Sequence, residues 1–368
     1  SVPAGQAMKA STAASPNVSS HYMTTICNIK TFLFFTVFLA LTSCNFGNKE
    51  SEPIWSDLPE VTSLDNLRQT DFVVTLENPI SENNNIIYAP AFLYAWDKIK
   101  AELKYPILAD KTNSIDFELL NQSTLHQSSL NESEYSATAE VVDGAVIARA
   151  FFNKTLPFKT KLQVLDDPIL FGKTKVSAFG MYSYDEEVIK FVKVLYYKDD
   201  NNFILKLIPK DQHDEIILVK GIDKYQTLKD AIKFTNSLID EGEKEQQNTK
   251  LSWKYQIVYE DMFAIPTIKF NIATHYKNLQ GQIFSTKDNK KHLFQEAYQR
   301  TGFIFNENGA VVESEAYTTT DSSSAEPIIT HPKKMIFDRP FLIIIKRTDK
   351  TNPYFVMKVA NSELLTRK

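Results

Sequence analysis

Apolar and polar positions alternate with different periods along this chain, and the most legible stretch lies near its C-terminal end. Between Thr301 and Asn361 three apolar runs have the character of strands: Gly302–Phe305, Phe341–Ile345 and Tyr354–Val359. The last two are separated by the polar, turn-forming Arg347–Pro353, which predicts a hairpin. Between the first and second lies a segment of roughly thirty residues rich in Ser, Thr, Ala and Glu, far longer than the usual connection in a compact domain. After Gly309 its alternate positions, Ala310, Val312, Ser314, Ala316, Thr318 and Thr320, are small or β-branched and uncharged. Glu313, Glu315 and Tyr317 fall between them. A period of two with small residues on one face is what a strand needs to bury that face in a sheet. The segment is placed as a loop and patterned as a strand.

Earlier in the chain, Phe92, Trp96, Ile99 and Leu103 recur at helical spacing after Pro90. Lys104–Asp143 is polar and rich in Ser and Asn, and no element is assigned there. Ala145–Phe158 reads as a strand, as do Phe171–Phe179, Val188–Tyr197 and the cleanly alternating Asn202–Pro209. Tyr225–Asp240 reads as a helix, with Leu228, Ile232, Thr235 and Ile239 on one stripe. Leu251–Glu260 and Ile265–Ile272 are expected to be strands. No internal repeat is visible.

With 368 residues, 43% of them hydrophobic, the chain has the means to bury a large core in one domain or two. Phe and Tyr are plentiful and Gly is scarce, which argues against disorder for most of it. The formal charge of −4 argues against a nucleic-acid footprint. Residues 1–22 carry no apolar period and are set aside as an upstream extension or a remnant of expression. Residues 23–43 differ: Lys30 precedes the apolar run Phe32–Leu41, too short for a membrane span but right for a signal-peptide core. The run ends in Leu41-Thr42-Ser43-Cys44, which resembles a bacterial lipobox, with Cys44 as the lipid attachment site. Lys49-Glu50 resembles a surface-export signal of bacterial lipoproteins. Residues 44–60 then form a tether, and 61–368 the body. Cys27 and Cys44 are the only cysteines, so a chain processed at Cys44 holds no disulfide.

Catalytic chemistry is sparse. The six histidines, His21, His126, His213, His275, His292 and His331, show no metal-ligand spacing and read as surface residues. No Gly-x-Ser-x-Gly or phosphate-binding Gly loop is present, and the expectation is a non-enzyme with no metal and no cofactor. Asp97-Lys98 and Lys333-Lys334 read as ordinary surface charge. Any function falls to the long loop.

Several segments together resemble the serpins. Asn306-Glu307-Asn308-Gly309 resembles the hinge that opens the family's reactive-centre loop, Phe337–Phe341 (FDRPF) the strand entry that closes it, and Tyr354–Asn361 the terminal strand. Asn84–Pro90 resembles the element that starts the family's buried second helix, Ala145–Phe158 the central strand of its main sheet, and Ile265–Ile272 its I-P-K-F element. The resemblance implies an α+β fold with a large mixed, antiparallel-rich main sheet, a second smaller sheet and surrounding helices. It implies an exposed loop over residues 309–336, with Glu307, Gly309, Ala310, Val312, Ser314 and Ala316 as hinge and Ser323, Ile328, Ile329 and Thr330 in the part that meets a protease. In the inhibitory family a serine or cysteine protease cuts the loop, and the freed segment inserts into the main sheet as a new strand, distorting the protease before deacylation. The expected partner is therefore such a protease, or, for a non-inhibitory relative, a protein of an outer-membrane or cell-surface complex. The lipid at Cys44 would hold either form on the membrane after export. The chain also departs from the family. The interval before Asp143 is too short for the family's full set of elements, and Ala89 and Phe92 stand where Ser residues are usual. Ala148 and Gln299 align with a polar Asn–His pair, and Leu156 with a usual Trp.

Overall fold

The computed structural model describes residues 58–108, 114–152, 154–222, 225–310 and 331–368. The chain divides into two units, Ser1–Ser51 and Glu52–Lys368, and the described residues belong to the second. Residues 23–43, expected as a leader, and Cys44 therefore lie outside the described residues, as do residues 311–330 of the expected loop.

A mixed sheet of nine strands among the described residues organises the body. Across its middle the order is Thr62–Ser63, Ile268–His275, Lys291–Asn306, Ala145–Phe152 and Tyr135–Val142. The sixteen-residue strand Lys291–Asn306 runs antiparallel to Ile268–His275 and parallel to Ala145–Phe152. A register shift between Phe294 and Glu296 interrupts its alternation, so the inward positions change from His292 and Phe294 to Ala297, Gln299 and Thr301. Tyr135–Val142 joins Ala145–Phe152 through Asp143-Gly144, both at positive φ (+49° and +82°). That is the two-residue turn whose twist matches paired strands. The stretch in which no element was expected thus holds half of a hairpin. It also holds the helix Ile115–Gln122, capped by the Ser114 hydroxyl, which accepts the Phe117 N–H.

Helix α1 (Ala91–Leu103) packs against the strands Tyr135–Val142 and Ala145–Phe152 with Phe92, Trp96, Ile99 and Leu103 buried, as the spacing predicts. Trp96 stacks on Phe294 at 5.7 Å, and Tyr94 stacks on Tyr135 at 4.0 Å. Helix α4 (Leu228–Gln246), after α2 (Ile115–Gln122) and the single turn α3 (Glu186–Ile189), starts at the expected stripe and runs six residues past Asp240.

A seven-stranded sheet has the order Val192–Asp199, Asn202–Leu207, Asp214–Lys220, Phe341–Arg347, Phe355–Val359, Asn85–Tyr88 and Thr70–Phe72. Phe341–Arg347 and Phe355–Val359 pair antiparallel, so the predicted C-terminal hairpin is present. Its face meets the main sheet through Phe355, stacked on Phe303 at 4.4 Å and on Phe152 at 6.0 Å. A four-stranded sheet, Lys334–Ile336, Met262–Pro266, Ala178–Met181 and Gln163–Val164, completes the body with the small ladder Ile169–Phe171/Thr174–Val176. The α+β architecture expected from the motifs is the one observed.

Four local expectations fail for identifiable reasons. Phe171–Phe179 is not one strand: Gly172, at φ +62°, turns the chain back so that Thr174–Val176 pairs antiparallel with Ile169–Phe171, and a separate strand begins at Ala178. Leu251–Glu260 is not a strand: Ser252–Tyr255 forms a 3-10 turn, because Glu245 on α4 draws in Lys254 Nζ at 2.8 Å and the Tyr255 hydroxyl at 2.7 Å. Ile265–Ile272 is broken at Thr267, where the chain passes from the four-stranded sheet to the main one. Val188–Ile189 closes α3, and its strand begins only at Val192.

Candidate functional site

Gly309-Ala310 in the main sheet are the last described residues before the loop, and after it the strand Lys334–Ile336 joins the four-stranded sheet. At its origin the long strand turns back on itself. Asn306 pairs with Gly309 and Phe305 with Ala310, while Asn306 Oδ1 accepts the Asn308 N–H at 2.9 Å. On its other side the same two residues pair antiparallel with Pro157 and Leu156. Gly309-Ala310 is therefore a central strand, flanked on both sides, seated where the long strand and the continuation of Ala145–Phe152 part. The Glu307 and Asn308 carbonyls accept the Leu162 and Phe158 N–H groups at 2.8 and 2.9 Å, which holds the turn against the body. Gly309 has φ +125°, and a Cβ there would stand 2.4 Å from the Leu156 carbonyl oxygen, so only glycine fits. Ala310 is 2% exposed, facing inward as the alternation requires. Phe305, between Phe158 and Phe179, fills the space beneath.

Below this point the two parallel strands are paired without a gap from Glu296/Ile147 to Thr301/Phe152. Gln299, fully buried, ties them to α1. Its Oε1 accepts the Phe92 N–H at 3.1 Å, and its Nε2 donates to Thr301 Oγ1 at 3.0 Å and to the Ala89 carbonyl at 3.4 Å. Pro90 offers α1 no side-chain cap, so Gln299 satisfies a first-turn amide from the sheet side. Three of the positions that depart from the family pattern, Ala89, Phe92 and Gln299, meet in this one cluster. Ala148 is also buried, facing the same side without a polar group.

The strand flanking the hinge has an ionic anchor. Lys154 pairs with Asp214 at 3.0 Å and with Glu134, and Glu134 also takes Arg347 at 2.6 Å. Burial pushes the Glu134 carboxyl up, but its bonds to Lys154, the Asn131 N–H and Arg347 outweigh burial and hold it below the usual carboxylate range. Tyr354 donates its hydroxyl to Asp214 at 3.0 Å, and burial followed by the Asp214 charge drives that phenol well above its ordinary range.

The returning end of the loop is pinned more firmly. Lys333, expected at the surface, is fully buried, with Nζ 2.6 Å from Asp261 Oδ2 and 2.7 Å from the Gln256 carbonyl oxygen. Asp261 also accepts the backbone N–H of Lys333 at 2.7 Å and that of Val258 at 2.9 Å. The Lys333 ammonium lies 6.0 Å from the ring centres of Tyr197 and Trp253, and His331 packs on Trp253 at 4.6 Å. Asp200 accepts the Lys334 N–H at 2.9 Å and the Tyr197 hydroxyl at 2.6 Å. The surface reading fails elsewhere too: His126 is fully buried against Asp97 at 2.7 Å, and His292 is 7% exposed, stacked on Phe284.

Glu307, Gly309 and Ala310 thus lie together at the loop's origin. Val312, Ser314, Ala316, Ser323, Ile328, Ile329 and Thr330 lie outside the described residues, as does Cys44. Sequence reasoning missed the buried Lys333–Asp261 pair and the function of Gln299 as a tie between sheet and helix. Among the described residues no group of three His, Cys, Asp or Glu side chains is placed to hold a metal ion. Among them, too, no helix is long and apolar enough to cross a membrane.

No family model and no curated protein matches the chain. Solved structures do. A serpin of the trematode Schistosoma haematobium is similar over 76% of this chain and 94% of its own, at 12% identity and a TM-score of 0.47. A highly specific serpin of the insect Tenebrio molitor is similar over 75% and 92%, at 14% identity and a TM-score of 0.38. The thermophilic serpin tengpin in its native state is similar over 77% and 90%, at 13% identity and a TM-score of 0.39. These structures are serpins, the family that the motifs resemble.

Proposed function

We propose that this chain is a serpin-like protease inhibitor that traps a serine or cysteine protease through cleavage of its long loop and insertion of the freed segment into the main sheet. The observation that carries the reading is the pairing of Gly309-Ala310 on both sides, by Asn306/Phe305 and by Pro157/Leu156. Insertion is the continuation of that strand by the residues that follow, whose inward positions Val312, Ser314 and Ala316 are small and uncharged. Each added residue contributes ladder hydrogen bonds and buries a small face. Incubation with a panel of serine and cysteine proteases should yield an SDS-stable adduct with at least one. Cleavage within residues 311–330 by every protease tested, with no adduct, would remove the inhibitory reading.

A second reading has its own observation. The unbroken pairing below the hinge and the Gln299 tie to α1 both have to yield before a full strand enters. A non-inhibitory scaffold that serves as a binding subunit of an outer-membrane or surface complex needs no such opening. Both readings place the protein outside the cell on a lipid at Cys44, which the leader pattern supports. Changing Cys44 to alanine should release the protein from the membrane fraction, because the acyl chains are the whole anchor. Wild-type protein found only in the soluble fraction would refute that placement.

A further inference from the structure

The end of the main sheet remote from the hinge is closed over a buried histidine. His292 is the second residue of the long strand, and it pairs across to Phe284, on whose ring its own is stacked at 5.3 Å. Its Nε2 stands 3.3 Å from Thr286 Oγ1, while its Nδ1 is buried with no hydrogen-bond partner among the described residues. The Thr286 hydroxyl has one hydrogen to give. Asp288 Oδ1, at 2.5 Å, takes it in preference to the Lys290 carbonyl oxygen at 3.4 Å. That bond, with help from the Lys290 ammonium, holds the Asp288 carboxyl below its ordinary range, so it remains an acceptor in mild acid. Thr286 Oγ1 is thus left to accept, and Nε2 donates. Neutral His292 meets this arrangement with its hydrogen on Nε2 and a bare Nδ1. An imidazolium carries a second N–H, at Nδ1, and buries it unpaired.

What the ring holds is an edge of the sheet. Ile283–Thr286 has the His292 strand on one side and the two-residue strand Ile107–Leu108 on the other, through Ser285/Leu108 and Thr286/Ile107. The Lys287 N–H adds a bond to the Pro106 carbonyl oxygen at 2.9 Å. Phe284 carries the contact to the helices, 5.1 Å from Phe117 of α2 and 6.4 Å from Trp96 of α1. Burial holds the His292 imidazole below its ordinary range; Asp288 opposes that and Lys290 adds to it. Among the described residues these two are the charged groups that act on the ring, since the helices and the edge strand present Trp96, Phe117 and Ile107 here. We propose that His292 is an acid-sensitive catch: protonation of its ring loosens this end of the sheet and frees the edge strand Ile107–Leu108. A released histidine ionises near its ordinary pKa of about 6.5. The closed form therefore keeps its full advantage above that pH and loses it progressively below.

Amide hydrogen exchange of the full-length chain, read by mass spectrometry and corrected for intrinsic rates, tests this on peptides covering Ile107–Leu108 and Ile283–Leu293. Between about pH 7.5 and about pH 5 their opening constant should rise by at least about threefold and at most about thirtyfold, the limit for a group that ionises near 6.5 only when released. Peptides from Phe341–Val359, in the seven-stranded sheet, should change by less than about twofold. His292→Gln keeps a donor for Thr286 but does not titrate, and its exchange should be flat over the same range. His292→Phe should be flat as well, so the comparison stands on whichever of the two folds. Wild-type exchange at these peptides that ignores pH overturns the proposal. An acceleration that the variants retain does so too, because the titrating group would then lie elsewhere. So does one shared by the whole body, which would be global acid unfolding and no catch.

Discussion

Replacing Asp261 with alanine is expected to destabilise the protein by about 3–5 kcal/mol, the usual effect of leaving one member of a buried ion pair alone. The geometry supports the upper part of that range. Asp261 and Lys333 are both buried, and the carboxylate serves three donors: Lys333 Nζ and the backbone N–H groups of Lys333 and Val258. Only the ammonium retains other acceptors, the Gln256 and Trp253 carbonyl oxygens at 2.7 and 3.4 Å. Combining Asp261→Ala with Lys333→Met should return much of the loss, because no unpaired charge then remains, but not all of it, because two amides stay orphaned. Urea titrations at unchanged m-value read the difference. A loss below about 1 kcal/mol for Asp261→Ala would mean that water reaches the site and that the pair is not the anchor described. The same variant should speed amide exchange in Lys334–Ile336, the short strand that the pair holds beside Met262–Pro266. That local effect separates a loosened loop end from a uniformly weakened fold.

Why this pair escaped sequence reading is instructive. Lys333-Lys334 sits at the end of a long polar segment, where paired lysines are ordinarily solvated. The burial of Lys333 depends on Asp261, Gln256 and Trp253, more than seventy residues away in sequence, and no local pattern carries that information. The helix around Phe92, Trp96, Ile99 and Leu103 and the C-terminal hairpin were legible because their burial has a period that the sequence itself displays. Tyr135–Val142 was not, although Asp143-Gly144 signals a tight turn. One face of that strand carries Ser136, Thr138 and Glu140, so its apolar alternation is diluted. In Lys291–Asn306 the bulge reverses the phase midway, which erases a continuous period of two. The hinge itself was visible as Asn306–Gly309 and the small alternate residues after it. Its position between two strands follows from Leu156-Pro157, on a different part of the chain. The tie made by Gln299 depends likewise on the Ala89 carbonyl and the Phe92 N–H, which become neighbours only in the fold.

Cutting the loop within residues 311–330 should raise the melting temperature rather than lower it if the inhibitory reading holds. In the intact chain the segment that follows Ala310 is tied at both ends, by the hinge pairing and by Lys333 and Lys334–Ile336. A cut frees the N-terminal part to continue between the two parallel strands, turning Val312, Ser314 and Ala316 into the position that Ala310 already occupies. The parallel pairing from Glu296/Ile147 to Thr301/Phe152 is lost, along with the Gln299 tie to α1, but each separated edge then gains the new strand as its partner. For an added strand worth about 5 kcal/mol, the rise should be about 10 °C or more, at roughly 2 °C per kcal/mol in a body of this size. Replacing Ser314 with arginine would put an unpaired charge beneath that strand, a penalty of several kcal/mol. This variant should fold and melt normally when intact, yet show neither the rise after cleavage nor a protease adduct. Calorimetry of intact and cut protein, wild type and Ser314→Arg, gives the four melting temperatures required. A cut wild-type chain that melts at or below the intact one would mean that the clamp made by Gln299 holds the sheet closed, and the loop would then serve binding instead of insertion.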